Sequence, residues 1–594
     1  MADGNSPASS SPAFPLQSHR YAIKSSVHNT AASRRREQAV AIGKERREAL
    51  MRAKRVCRTP LSGSSEAATE DGDMVIDEGK AGLETRTTQA VEELKSSLSS
   101  HSLPIFPLLR TKHWLGGLCS WCGASPPGFE SQLRHTRKIE SQLRFTRAKR
   151  VSRLPNNVWP REGSFPRWGK VAQKKKTEAL RGLRRLLSQS EVPPIEVAIK
   201  AGAVPLLVQY LSFGSSDEQL LEAAWCLTNI AAGQPEETRA LLPALPLLIA
   251  HLGEKSSTLV AEQCAWAIGN VAGEGADLRS TLLAQGALRP LARLMLSNKG
   301  STARTASWAL SNLIKGPDPK GVNELISIEG VLNAIVRDLE KADEELATEV
   351  AWVVVYLSAL SEKAISLIVR SHVPQLLIAR LLASENLQLL IPVLRGLGNL
   401  VAGDGYMVDS ILIVGNSITD QALSSLIKCL KSDNRVLRKE ASWALSNIAA
   451  GSFEHKKLIF TSEAAPLLIH LLTSGQFDIR KEAAYTLGNL CVVPAGSPDP
   501  PNIIVEHLVS IINGGALPGF VNLVRSADIE SARLGLQFLE LVMRGYPNGQ
   551  GPALVERQDG IEAMERFQFH ENEAMRNMAN GLVDKYFGED YGLE

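Results

Sequence analysis

Tryptophan and asparagine recur four residues apart along the chain, as Trp225 with Asn229, Trp266 with Asn270, Trp308 with Asn312 and Trp443 with Asn447. The same register holds Trp352 with Tyr356, Arg395 with Asn399 and Tyr485 with Asn489. On a helix, residues i and i+4 share one face about 6 Å apart along the axis, and i−3 shares that face as well. The earlier position is filled in turn by Glu222, Gln263, Thr305, Glu349, Pro392, Glu440 and Glu482. One such pair reads as a core residue beside a helix-end residue. Five of the nine tryptophans in the same slot read instead as an exposed row with a shared task.

That chemistry suits an extended peptide rich in lysine and arginine. An asparagine side chain offers a donor and an acceptor to a peptide backbone of any sequence. The stem of a Lys or Arg can lie on an indole with its cation near the π face, worth roughly 0.5–2 kcal/mol. The i−3 carboxylates are expected to meet the charged ends, and acidic or apolar peptides would leave them unpaired.

The elements that must carry the row follow from its period. Successive steps in the tryptophan slot are 41, 42, 44, 43, 48 and 42 residues, the range of all-helical HEAT and armadillo repeats. Each unit reads as a short helix, a second helix such as 203–211 with proline in its first turn, and a third helix bearing the row. Gly233, Gly273, Gly316, Gly403 and Gly451 are expected to cap the third helices. The expected fold is all-α, a right-handed armadillo-repeat superhelix of about ten repeats over residues 171–594, preceded by a largely disordered basic arm.

The formal net charge of +3 hides an asymmetry. Residues 1–170 hold 28 Lys and Arg against 16 Asp and Glu, and the remainder holds 38 against 47. A basic arm joined to an acidic body fits an arm that binds an anionic surface or folds back on its own body. Residues 1–33 are Ser-, Ala- and Pro-rich and read as a disordered tail. Residues 34–60 form a basic segment of good helix formers, which from composition alone also fits a solvated charged helix or a nucleic-acid arm. Residues 61–170 read as an acidic flexible linker over 61–97 and then an atypical insert without period. Arg147-Ala-Lys-Arg-Val-Ser-Arg153 nearly copies Arg52-Ala-Lys-Arg-Val-Cys-Arg58.

Enzyme chemistry finds no support. There is no phosphate-binding glycine loop, nucleophile motif or ligand set at metal spacing, and Cys119-Ser-Trp-Cys122 is a lone pair. We expect no catalytic, cofactor or metal site. The expected location is soluble and intracellular, because the sequence has neither an apolar run of about twenty residues nor a signal-peptide layout. Direct nucleic-acid binding is not expected, since the acidic body repels phosphate.

The ordered Trp/Asn series resembles the importin-α family of nuclear import adaptors, over about residue 174 to the end and again near 34–58. The resemblance implies a major site for nuclear localisation signals at Trp225, Asn229, Trp266, Asn270, Trp308 and Asn312, with Gly233, Thr238 and Glu274 lining the pocket for the critical lysine. It implies a minor site at Trp352, Tyr356, Arg395, Asn399, Trp443, Asn447, Glu482, Tyr485 and Asn489. Glu274 stands where the family typically has Asp, and Tyr485 where Trp is usual, so the minor site is expected to be the weaker. The basic segment resembles the importin-β-binding segment, with Lys54 and Arg55 at the self-binding, autoinhibitory cluster. The implied partners are cargo proteins with basic signals, importin-β, and an export receptor at the C-terminal repeats, with shuttling between cytoplasm and nucleus. The rival from another class is an armadillo scaffold for signalling, adhesion or ubiquitin-ligase assembly.

Overall fold

The structure, a computed structural model, describes residues 80–99, 167–189, 193–403, 405–414, 417–418, 420–493 and 502–588. The arm with Lys54 and Arg55, the Cys119–Cys122 pair and the second basic heptapeptide lie outside the described residues. The described chain forms two compact units, divided between Cys226 and Leu227.

The smaller unit corrects the linker expectation. Residues Lys80–Ser99 form a helix, α1, which packs on α2 (Arg167–Gln189). Thr87, Val91 and Leu94 are its buried stripe, spaced four and three apart, against Leu180, Leu183 and Leu187 of α2. The stripe is narrow and flanked by Glu, Thr and Ser, so its composition looks like linker while its period is that of a helix. Ser97 Oγ lies 3.0 Å from Tyr210 Oη and ties the end of α1 to the helix Ala203–Tyr210. The unit ends inside the first helix to carry the row, α3 (Asp217–Ile230).

In the larger unit the row-bearing helices are α4 (Thr258–Glu274), α5 (Gly300–Ile314), α6 (Glu344–Leu360), α7 (Leu387–Leu400), α8 (Arg435–Ala449) and α9 (Phe477–Leu490), and α10 (Ile529–Gly545) follows them in the stack. Each packs on the next, and shorter helices between them complete the armadillo layers. Alanine and glycine make the close approach possible. Trp308 lies against Gly269, where a built Cβ would come within 2.3 Å of its ring, and Trp443 lies against Gly398, where the distance would be 2.4 Å.

The long step of 48 residues contains a short antiparallel pair of strands, β1 (Ile413–Val414) and β2 (Ser417–Ile418), in the register Ile413 to Ile418. It is the departure from an all-α chain among the described residues, and it absorbs the extra length without disturbing α7 and α8.

The expected glycine caps take another form. The glycines with left-handed φ are Gly202, Gly214, Gly286, Gly330, Gly515 and Gly549, and the five expected at third-helix ends are not among them. At Gly451 a Cβ would meet His455 Nδ1 at 2.3 Å, and at Gly403 it would meet Met407 Sδ at 2.6 Å. These glycines let the following helix come close; they are not there to turn the backbone left-handed.

Candidate peptide-binding site

The row is first of all a seam. Asn270 donates its side-chain amide to the carbonyl of Thr228 at 3.0 Å, Asn312 to Gly269 at 3.2 Å, and Asn399 to Val355 at 3.1 Å. Asn447 donates to Gly398 at 3.3 Å and Asn489 to Ser446 at 3.0 Å. Every one of these bonds runs back to the preceding row helix. Two of the i−3 residues do the same: Gln263 donates to Thr228 Oγ1 at 2.8 Å, and Glu440 accepts two bonds from Arg395. In the smaller unit Glu222 accepts from Arg181 at 3.1 Å and from Arg184 at 2.5 Å.

The expectation of a fully exposed row is therefore corrected. Trp225 and Trp266 are half-buried, Trp308 and Trp352 are 7% and 8% exposed, and Trp443 only 1%. The indoles fill the space over the glycines and alanines of the neighbouring helix, because row helices packed this closely leave little of a ring uncovered. Tyr356 is fully buried and stacks on Trp352 with centroids 6.2 Å apart, and Tyr485 donates its hydroxyl to Glu530 at 2.5 Å. Glu222 and Glu440 are likewise engaged within the chain and are not standing charges waiting for a ligand.

What remains for a ligand is concentrated early in the row. Trp266 keeps part of its ring uncovered, with Trp308 edge-on at 6.5 Å and 69°. The face of Trp225 carries the guanidinium of Arg184, 4.4 Å from the ring centroid, an internal example of the cation–indole contact expected of a ligand. An asparagine amide carries two N–H groups and a carbonyl oxygen; at Asn399 the amide donates also to Ser358 Oγ at 3.1 Å, and at Asn312 the oxygen accepts from Lys315 at 3.2 Å.

The ends of the row helices differ in a regular way. Thirteen residues after Trp225, Trp266 and Trp443 stand Thr238, Arg279 and Lys456. All three donate to the carbonyl six residues after the tryptophan: Thr238 Oγ1 to Ala231 at 3.3 Å, Arg279 Nη1 to Ala272 at 3.3 Å, Lys456 Nζ to Ala449 at 2.6 Å. These side chains cap the helices in place of the glycines. Burial holds the Arg279 guanidinium below its ordinary value, yet it remains a cation. At the first of these places the donor is a short hydroxyl, and α4 ends on the half-buried carboxylate of Glu274. Arg181, Arg184, Arg279, Lys456 and Glu530 were not singled out from sequence; only counting from the tryptophan slot marks them.

Comparison with known proteins places these features in a lineage. Armadillo/beta-catenin-like repeats match residues 191–232, 275–315, 418–450 and 452–492, and a HEAT-like repeat matches 217–271. Importin subunit alpha-2 of Oryza sativa subsp. japonica is 72% identical over 594 residues, all of both chains. Importin subunit alpha-9 of Arabidopsis thaliana is 56% identical over 572 residues, 96% of this chain and 97% of its own. The chain belongs to the importin-α family. Importin subunit alpha-3 of Arabidopsis thaliana, at 31% identity over 426 residues, covers 70% of this chain and 77% of its own. Among solved structures, an engineered protein aligns with a TM-score of 0.60 at 25% identity over 69% of this chain and 94% of that one.

Membership in the importin-α family fits the armadillo layers and gives the row its context. Among the described residues no single helix is long and apolar enough to cross a membrane, and no group of three or more His, Cys, Asp or Glu could hold a metal ion. The four described cysteines are buried within helices; burial pushes the thiols of Cys429 and Cys491 up to about 12 and those of Cys226 and Cys264 further up still.

Proposed function

We propose that the chain is a nuclear import adaptor that takes the Lys/Arg-rich localisation signal of a cargo protein on the early part of the row. In the larger unit the signal is held by Asn229, Gly233, Thr238, Trp266, Asn270, Glu274, Trp308 and Asn312; Trp225, in the other unit, carries the same chemistry as the first of the series. The observation that carries this reading is that Trp266 keeps part of its ring uncovered, while Trp308, Trp352 and Trp443 are almost closed. Glu274, half-buried, is the last residue of α4 and places a carboxylate at that end of the row.

The basic segment near 34–58 would then join the adaptor to importin-β and, through Lys54 and Arg55, compete with cargo for the row. The C-terminal repeats would take the export receptor that returns the empty adaptor, so the protein shuttles between cytoplasm and nucleus. The later positions from Trp352 to Asn489 form a second, weaker peptide site.

The test is titration of a fluorescent lysine-rich peptide into the full chain and into Trp266→Ala. Loss of one indole contact is expected to weaken binding roughly tenfold, from the cation–π and packing energy it supplies. Equal affinity of the two proteins, or no binding by either, would overturn the reading.

A further inference from the structure

The capping place after Trp443 is filled differently from the one after Trp225. Lys456, in the helix Phe453–Phe460, is 2% exposed, and its ammonium donates to two carbonyls at 2.6 Å each: Ala449 at the end of α8 and Asn489 at the end of α9. It bridges two row helices through the equivalent of the place where Thr238 offers only a hydroxyl. Arg279 holds the equivalent place after Trp266, donating to Ala272 at 3.3 Å, and its Nε lies near Gly316 at the end of α5.

One step earlier, the position equivalent to Thr238 is Val408, which is buried and apolar, and the position equivalent to Glu274 is Gly451. Counting from Tyr485, the Glu274 equivalent is Val493. The late rungs thus lack both the hydroxyl and the carboxylate, and one of them already contains a cation. A second ammonium brought by a ligand would meet a like charge in a poorly solvated place.

We infer that Lys456 is a resident cation occupying the lysine-binding place of the late rungs, so that the chain selects peptides with a single basic cluster and draws little affinity from a second one. The inference rests on the proposed function. It makes position 456 a specificity-determining residue: the frame of a second peptide site is present, with Asn447 and Asn489 in register, but its cation is supplied from within.

The experiment compares two peptides on the full chain by calorimetry: one lysine-rich cluster alone, and the same cluster joined by a flexible Gly/Ser linker to an upstream Lys-Arg pair. Linked engagement of two open sites raises affinity by one to several powers of ten. Here the two-cluster peptide is expected to bind within about threefold of the single cluster. In Lys456→Thr it is expected to gain roughly tenfold, about 1.4 kcal/mol, while the single cluster is unchanged; in Lys456→Met, which keeps the stem's bulk, no gain is expected. An advantage above about threefold in the wild-type chain overturns the inference without any variant, and so does a natively melting Lys456→Thr that gains nothing. Failure of the single cluster to bind overturns the proposed function instead.

Discussion

Arg395 and Glu440 face each other through two hydrogen bonds, Nη2 to Oε1 at 2.7 Å and Nε to Oε2 at 3.2 Å, with both side chains almost closed to water. The pair interrupts the aromatic row and joins α7 to α8. Breaking such a buried pair leaves one charge desolvated without its partner, at roughly 3–5 kcal/mol, whereas replacing both by apolar residues of similar volume is close to neutral. Glu440→Ala is therefore expected to lower the midpoint of urea unfolding sharply, and Arg395→Met with Glu440→Leu to recover most of the loss. Equal midpoints for the single and double variants would contradict this account.

Gly269 and Trp308 make a second structural prediction. Alanine in place of a helix-interior glycine usually stabilises by about 0.5–1 kcal/mol, but here the added methyl would stand 2.3 Å from the indole. Gly269→Ala should displace the ring, destabilise the protein and shift tryptophan emission to the red. The combination with Trp308→Leu, which frees the space, should regain stability.

Glu274→Gln should weaken basic-peptide binding by roughly ten- to a hundredfold, the worth of a hydrogen bond to a charged group. The difference from wild type should shrink as salt is raised, because an exposed part of the attraction is screened. Peptide titrations at low and high salt measure both effects. A variant that binds like wild type at low salt would remove Glu274 from the site.

His507 sets a pH dependence. Its Nδ1–H donates to the carbonyl of Leu490 at 3.1 Å and its ring stacks on Phe460 at 3.9 Å. Burial holds the imidazole below its ordinary value; the Leu490 carbonyl opposes this, and the charge of Lys456 adds to it over the contrary pull of Glu506. As pH falls the unfolded chain takes up the proton first. Stability is thus complete above about pH 6.5 and is lost as pH drops from there towards the folded value, by at most about 1.4 kcal/mol per pH unit. His507→Gln should flatten that part of the melting temperature against pH, and an unchanged slope would assign it to other groups.

The armadillo class was legible because the Trp slot returns at a nearly constant step, and periodicity survives substitutions such as Arg395 and Tyr485. The backward bonding was not. An acceptor about 42 residues earlier, such as Thr228 for Asn270, is a backbone carbonyl and leaves no mark in residue type. For the same reason Glu440 read as a ligand-facing carboxylate until Arg395 was found against it. Helix α1 escaped notice because the smaller unit buries only a thin stripe of it. The chemistry of Thr238 and Lys456 is visible only when the rungs are aligned on their tryptophans and the two side chains are seen to reach the same carbonyl.

The direction of the asparagine bonds has a consequence for how the molecule is made. Each acceptor, from the carbonyl of Thr228 to that of Ser446, precedes its donor in the chain. A ribosome releases the N-terminal side first, so every new row helix emerges to find its docking atoms already in place. The seam can close one tooth at a time in the order of translation, like a zip whose slider travels with the growing chain, and no amide has to wait for a partner still to be synthesised.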